Sequence, residues 1–293
     1  MSNELVTNKP KFSVAIQGDT YKNLINNTLG DKDRATRFIA SISSAVATNQ
    51  DLQQCDAGTI LSGALLGESL NLSPSPQLGQ YYLVPFNSKT GKKDENGLDI
   101  YVKKAQFQLG YKGYIQLAIR SGQYKKLNVL AIKEGELVKY DPLNEEIEVN
   151  LIDDELEREN AKTIGYYAMF EYTNGFRKSL YWSKNKMEKH ALKYSKGYAV
   201  KKGYTFWEKD FDGMAYKTML RQLISKWGIM SIEMQSAVEK DMTAINTDGT
   251  FEYVENEEEA IIEQNDSVIV QQNEDTIVQQ NEGTEKVVSM NEI

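Results

Sequence analysis

From Asp33 onward the apolar residues Ala35, Phe38, Ile39, Ile42, Ala45 and Val46 fall three and four apart. That spacing keeps one face of a helix buried and predicts a helix over 33–49. The preceding residues are polar, with scattered anchors such as Phe12, Val14, Ile16, Tyr21 and Leu24, and read as an N-terminal arm over 1–32, either extended or forming a short strand and helix. A second helical pattern (Ile60, Leu61, Ala64, Leu65) follows Asp56, a good N-cap, and stops before the breaker Ser73-Pro74-Ser75-Pro76. The pattern then changes period. Gln80 to Phe86 is rich in aromatic and β-branched types, and Ile100 to Leu109 alternates well enough to pair with it across a polar turn at Asn87 to Gly97. Tyr111, Tyr114, Ile115, Ala118 and Ile119 return to helical spacing and end at Ser121-Gly122. Strands are predicted at 126–132, 136–140, 147–151, 163–172 and 176–182, the last two joined by an Asn174-Gly175 turn. A helix near Ser183 carries Met187, Ala191 and Leu192. A broad apolar face from Phe206 to Trp227, ending at Gly228, marks a final helix. The fold class is α+β, an antiparallel sheet with packed helices.

Charge divides the chain in a way that the net value of -8 conceals. Residues 1–240 hold 33 basic against 28 acidic residues, whereas residues 241–293 hold Lys286 against 14 acidic ones. The body, 33–240, is basic. The stretch 241–293 is acidic, poor in aromatics, and contains IVQQNE twice, at 269–274 and 277–282. It reads as a mostly disordered tail with its Val and Ile clusters as docking motifs. No run reaches the roughly 18 apolar residues of a membrane span, and the N-terminus lacks signal-peptide order, so the expected location is cytoplasmic, with no membrane partner.

Several chemistries are excluded by residue type. One cysteine and one histidine leave no disulfide, thiolate cluster or His-rich metal site. Gly91-Lys92-Lys93 has Phe86 where a phosphate loop needs its first glycine and no Ser or Thr after the lysine, which argues against ATP hydrolysis. No Glu has Lys two residues on, so the nuclease Glu-x-Lys is missing. No catalytic residue, metal or cofactor is expected, and the chain reads as a non-enzyme.

The informative pattern is cations interleaved with aromatics. Between Arg177 and Gly228 there are 13 Lys or Arg against four acidic residues, set among ten aromatics. Cations neutralise phosphates and ring faces stack on unpaired bases, the combination used by single-strand binders. Lys217 and Arg221 lie four apart on one helix face, the leading phosphate contact on a regular element, with Gly213 leaving room upstream; Lys226 is rotated off that row. Arg177, Lys178, Lys184, Lys186, Lys189, Lys201 and Lys202 are candidates on charge alone. A second group is Lys103 to Gly113. Strand alternation places Lys104, Gln106 and Gln108 on one polar face and Lys103 on the other. Gly110 and Gly113 bracket a helix start at which Tyr111 and Lys112 sit and backbone N–H groups can meet a phosphate.

Together these stretches resemble the RecT family of phage and prophage single-strand annealing proteins. The resemblance rests on GALLGESLNL (63–72) running into SPSP, GQYYLVPF (79–86), FQLGYKG (107–113) and WEKDFDGMAYKTMLR (207–221), in that order across about residues 35–230. It implies single-stranded DNA and an annealed duplex intermediate as ligands, and homo-oligomeric rings or helical filaments. It further implies relatedness to annealing proteins built around a basic groove, and strand pairing without ATP in phage-type homologous recombination. On this reading 33–240 is the DNA-binding and annealing core. Gln106, Gln108, Tyr111, Lys112, Lys217 and Arg221 fall within or beside the matching motifs and become the leading contacts. A phage exonuclease and the host single-strand binding protein are candidate partners of the tail. The competing expectation is a protein that coats single strands or recruits others without pairing them.

Overall fold

From Phe12 onward the stretch read as an arm is helical. A computed structural model describes residues 12–253 apart from Lys202 and Tyr204. Phe12–Ala15 (α1) and Asp19–Leu29 (α2) precede Lys32–Ala47 (α3). Gly30 closes α2 at φ 67°, and the Asp31 carboxylate opens α3 by accepting the Arg34 N–H at 2.6 Å. Phe12, Ile16 and Ile25 are buried with Phe38, Ile42 and Val46 in a second core that also takes in Ile60, Leu61, Ala64 and Ala105. Each short helix contributes one or two apolar anchors, too few to show a period in the sequence.

Ala57–Ser69 (α4) begins at the expected cap, Asp56, which accepts the Gly58 and Thr59 N–H groups. It lies against a long hairpin of Tyr81–Lys93 (β1) and Asp99–Leu109 (β2). A Cβ at Gly67 would sit 2.4 Å from the Tyr81 ring, and one at Gly63 2.8 Å from a Leu83 methyl, so the glycines of the GALLGES segment let helix and strand approach closely. The strands pair from Tyr81↔Leu109 out to Lys93↔Asp99, so the turn is far shorter than expected and held by Asp94. Tyr111–Ser121 (α5) follows Gly110. Added Cβ atoms at Gly110 and Gly113 would lie 2.1 and 2.2 Å from the carbonyl oxygens of Gly79 and Gln80. Backbone from the SPSP side of the hairpin therefore fills the space that the sequence offered to a phosphate.

Tyr124–Lys133 (β3), Leu137–Asp141 (β4) and Glu146–Val149 (β5) come next, then Glu155–Asn160 (α6), Thr163–Tyr172 (β6) and Arg177–Ser183 (β7). The antiparallel order is β3-β6-β7, with β4-β5 a separate ribbon. Helix α6 lies where only acidic turns were expected; Asp154 caps it, and its Arg158 pairs at 2.6 Å with the fully buried Glu136. Lys184–Tyr194 (α7), Lys196–Ala199 (α8), Phe206–Lys209 (α9), Phe211–Trp227 (α10) and Ile232–Glu239 (α11) complete the helices. The single helix predicted over 206–227 breaks at Asp210, whose carboxylate accepts the Gly213 N–H at 2.9 Å and starts α10. The space above Gly213 is filled by that carboxylate, which a Cβ would meet at 2.3 Å. Tyr166 and Phe170 of the sheet pack with Met219, Leu220, Leu223 and Ile224 of α10 in the larger core.

The ordered chain does not end at residue 240. Thr243–Ile245 (β8) and Phe251–Tyr253 (β9) form a hairpin that joins the first sheet in the order β1-β2-β8-β9. The unit runs to Val254, and the remainder of the predicted tail lies outside the described residues. Asp241, fully buried, accepts the Leu109 N–H at 2.8 Å, the Tyr114 hydroxyl at 3.4 Å and the Lys217 ammonium at 3.0 Å. One carboxylate thus ties β2, α5 and α10 together. Removing one member of such a pair leaves a buried charge uncompensated, and Asp241→Ala is expected to cost about 3–5 kcal/mol in denaturant unfolding. The double change Lys217→Met with Asp241→Leu is expected to cost less than Asp241→Leu alone, since no unpaired buried ammonium is left. A chain ending at 253 should retain the cooperative transition that one ending at 240 loses.

Candidate nucleic-acid interface

The leading contacts separate according to what segment 241–243 covers. Lys217 and Arg221 share a face of α10 as predicted, but that face is turned inward. Lys217 is 6% exposed and bound to Asp241, and the Arg221 guanidinium, half-buried, lies 3.7 Å from the Met242 sulfur. Burial lowers the Lys217 pKa, and Asp241 opposes that shift. Gln106 is 4% exposed, and its amide donates to the Met242 carbonyl at 2.6 Å. The Gln108 amide donates in turn to Gln106 at 2.6 Å. Lys217 and Gln106 are therefore buried groups, covered by Asp241 and Met242 just ahead of β8. Lys103 faces the other way, toward Gln54 at 2.5 Å and Asp51 at 3.6 Å, and Lys104 is half-buried opposite Phe86.

Tyr111 and Lys112 are placed differently. Lys112 is exposed, its ammonium 5.9 Å from the Tyr111 ring centre, and its stem flanks Gly79 together with the Tyr82 hydroxyl. From Tyr111 a line of ring contacts runs on, with Tyr166 and Trp207 buried and the other rings partly buried. Tyr111 meets Tyr216 at 5.6 Å, Tyr216 meets Tyr166 at 6.1 Å, and Tyr166 meets Phe211 at 6.3 Å. Phe211 meets Trp207 at 5.1 Å, which reaches His190 at 6.4 Å, and His190 touches Trp182 and Tyr194 at 5.5 and 4.4 Å. Cations stand along this line: Lys184 at 5.8 Å from Phe211, Lys186 at 4.4 Å from Trp182 and Lys193 at 5.5 Å from Tyr194. An ammonium over a ring face gains cation–π attraction while its outer side remains hydrated and open to an anion. Sequence reasoning misses Lys193; its place one turn past Lys189 on α7 is the signal that could have found it.

The remaining candidates have other surroundings. Lys189 is exposed on α7, and Lys201 is exposed in a turn at φ 52°. Lys202 lies outside the described residues. Arg177 is exposed and 3.4 Å from the Tyr167 hydroxyl, while Lys178 is ion-paired with Glu145 and sits 3.9 Å from the Trp227 ring centre. Lys226 is exposed beside the same ring at 5.3 Å. The structure thus links Lys112 to the α7 lysines through one aromatic wall and sets Arg177, Lys178 and Lys226 on other surfaces, the last two around Trp227.

The sequence profile of the RecT family matches residues 36–261. The chain belongs to the RecT family. In Escherichia coli K12, protein RecT is 31% identical over 210 residues, 71% of each chain. The uncharacterized protein YqaK of Bacillus subtilis 168 is 42% identical over 260 residues, 86% of this chain and 83% of YqaK. At the level of the family, membership places the chain among single-strand annealing, DNA-binding proteins of phage-type recombination. No described helix is long and apolar enough to cross a membrane.

Within the fold, the RecT motif at 207–221 is largely scaffolding. Trp207 and Phe211 are rings of the wall, and Glu208 closes a capping box with Thr205. Asp210 caps α10, Asp212 accepts the Tyr166 hydroxyl at 2.6 Å, and Lys217 holds Asp241. His190, the chain's sole histidine, is enclosed by Trp182, Tyr194 and Trp207. Burial first, then Arg221, Lys193 and Lys186, push its pKa down to about 4. The unfolded chain binds this proton near pH 6.5 and the folded one resists it, so stability is complete above pH 6.5 and declines toward pH 4, by on the order of 3 kcal/mol. The single imidazole resonance in an NMR titration should show a midpoint near 4, and the variant His190→Phe should lose the decline in stability between pH 6.5 and 5.

Proposed function

We propose that this RecT-family chain binds single-stranded DNA through Lys112 and the α7 lysines and pairs complementary strands without ATP, performing no covalent chemistry. The observation that carries this reading is the seating of lysine heads over partly buried rings, of which Tyr111, Trp182 and Phe211 pack against the core. Phosphates are then held by fixed cations, while most bases are left unstacked by protein and free to meet a second strand. Stacking of about 1.4 kcal/mol per step in the new duplex supplies the driving force, so no nucleotide fuel is required. Adjacent subunits continue the groove in a head-to-tail ring or filament, with the annealed duplex as the retained intermediate. The chain segment from 254, with 11 acidic residues against Lys286, docks a protein partner such as a phage exonuclease or the host single-strand binding protein. It acts in the cytoplasm.

Adding two complementary oligonucleotides in sequence, without ATP, and following pairing by fluorescence transfer tests the reading. Faster pairing with the protein retained on both strands is expected; binding without faster pairing would instead indicate a coating or recruiting protein. With about five phosphates neutralised per subunit, log affinity should fall against log salt with a slope of about -3.5, and a salt-independent affinity would contradict the account. Removing residues 254–293 should leave pairing intact and abolish partner capture.

A further inference from the structure

Among the described rings beside the Lys112 group, Phe206 is the one that turns toward solvent, at 37% exposure, and it is not left to find its own position. It opens α9, where the Thr205–Glu208 capping box fixes the chain: the Glu208 carboxylate accepts from Thr205 N–H and hydroxyl at 3.0 and 2.7 Å and from Gly203 N–H at 2.8 Å. One side of the ring is backed by Tyr82 of β1, with centroids 5.4 Å apart and planes 44° apart. The Tyr82 hydroxyl and the Lys112 stem flank the same spot, lying 3.0 and 3.5 Å from the position a Cβ would take at Gly79. An open, backed ring next to a cation is the arrangement in which a base stacks while its phosphate is neutralised. Trp227, by contrast, already carries Lys178 at 3.9 Å over its face.

We propose that Phe206, backed by Tyr82, stacks on one base of the bound strand in each subunit while Lys112 takes the neighbouring phosphate. This rests on the reading of the chain as a single-strand binder and adds to it a base contact that fixes the strand's register on the protein. One base is held, and the others stay free to pair.

The test compares binding of an ordinary oligonucleotide with an abasic one of equal length and charge, using the full chain and Phe206→Ala. The wild type should prefer the ordinary strand by roughly five- to a hundredfold, and Phe206→Ala should lose that preference while binding the abasic strand as before. Phe206→Trp should keep the preference, and 2-aminopurine in the strand should be quenched by the wild type and not by Phe206→Ala. Equal wild-type affinity for both strands, or equal weakening of both by Phe206→Ala, would overturn the proposal. Neither result bears on annealing, which fails separately if wild-type protein does not bind single strands or speed their pairing.

Discussion

The buried carboxylate of Asp241 is the constraint on which the rest of the RecT-family core depends. A charged pair removed from water survives only when its hydrogen-bonding capacity is met, and here the end of β2, a tyrosine of α5 and a lysine of α10 meet it at once. Those three elements come from positions 109, 114 and 217, and the carboxylate that joins them lies beyond the last helix. The segment following it then covers Gln106, contacts Arg221 and adds two strands to the hairpin sheet. The lysines over rings, Lys112, Lys184, Lys186 and Lys193, are ones this segment does not cover.

Those surface cations share one physical setting. Lys112, Lys184, Lys186 and Lys193 each stand over a ring whose partners are other rings, and two of those rings, Tyr111 and Phe211, belong to α5 and α10, which Asp241 ties together. The ammonium groups begin with less freedom to lose than lysines in open solvent, which favours binding a flexible polyanion. His190, partly buried in the same wall and kept neutral by desolvation and its cationic neighbours, adds no charge of its own at neutral pH. The positive surface charge therefore comes from lysine and arginine, whose state does not vary across the physiological range.

Much of this is legible in the sequence. Helices at 33–49 and 111–121, the strands at 163–172 and 176–182 and the cap at Asp56 follow from period, propensity and side-chain chemistry, and the structure has them within a few residues. What escapes are features that averaging hides. Thr243-Ala244-Ile245 and Phe251-Glu252-Tyr253 around Asp248-Gly249 have the grammar of a hairpin, yet the acidity of the following forty or so residues assigns them to a tail. That assignment alone carries Lys217 and Gln106 outward, since periodicity shows which residues share a face and not which face is covered. The caps at Asp154 and Asp210 escape for different reasons: no apolar period follows Asp154, and Asp210 lies inside a stretch whose apolar spacing reads as one continuous helix. Phe206 counts among core rings, its helical spacing being correct and its exposure invisible.

The central claim is that ring-seated lysines, and not the buried α10 pair, hold the phosphates. Its most direct test is the salt dependence of single-strand affinity for Lys112→Ala and for Lys186→Ala with Lys193→Ala, measured beside their melting temperatures. The account predicts weaker binding, a slope shallower by about 0.7 for each phosphate that is no longer neutralised, and unchanged melting. Unchanged affinity and slope in both variants, with the fold intact, would contradict it.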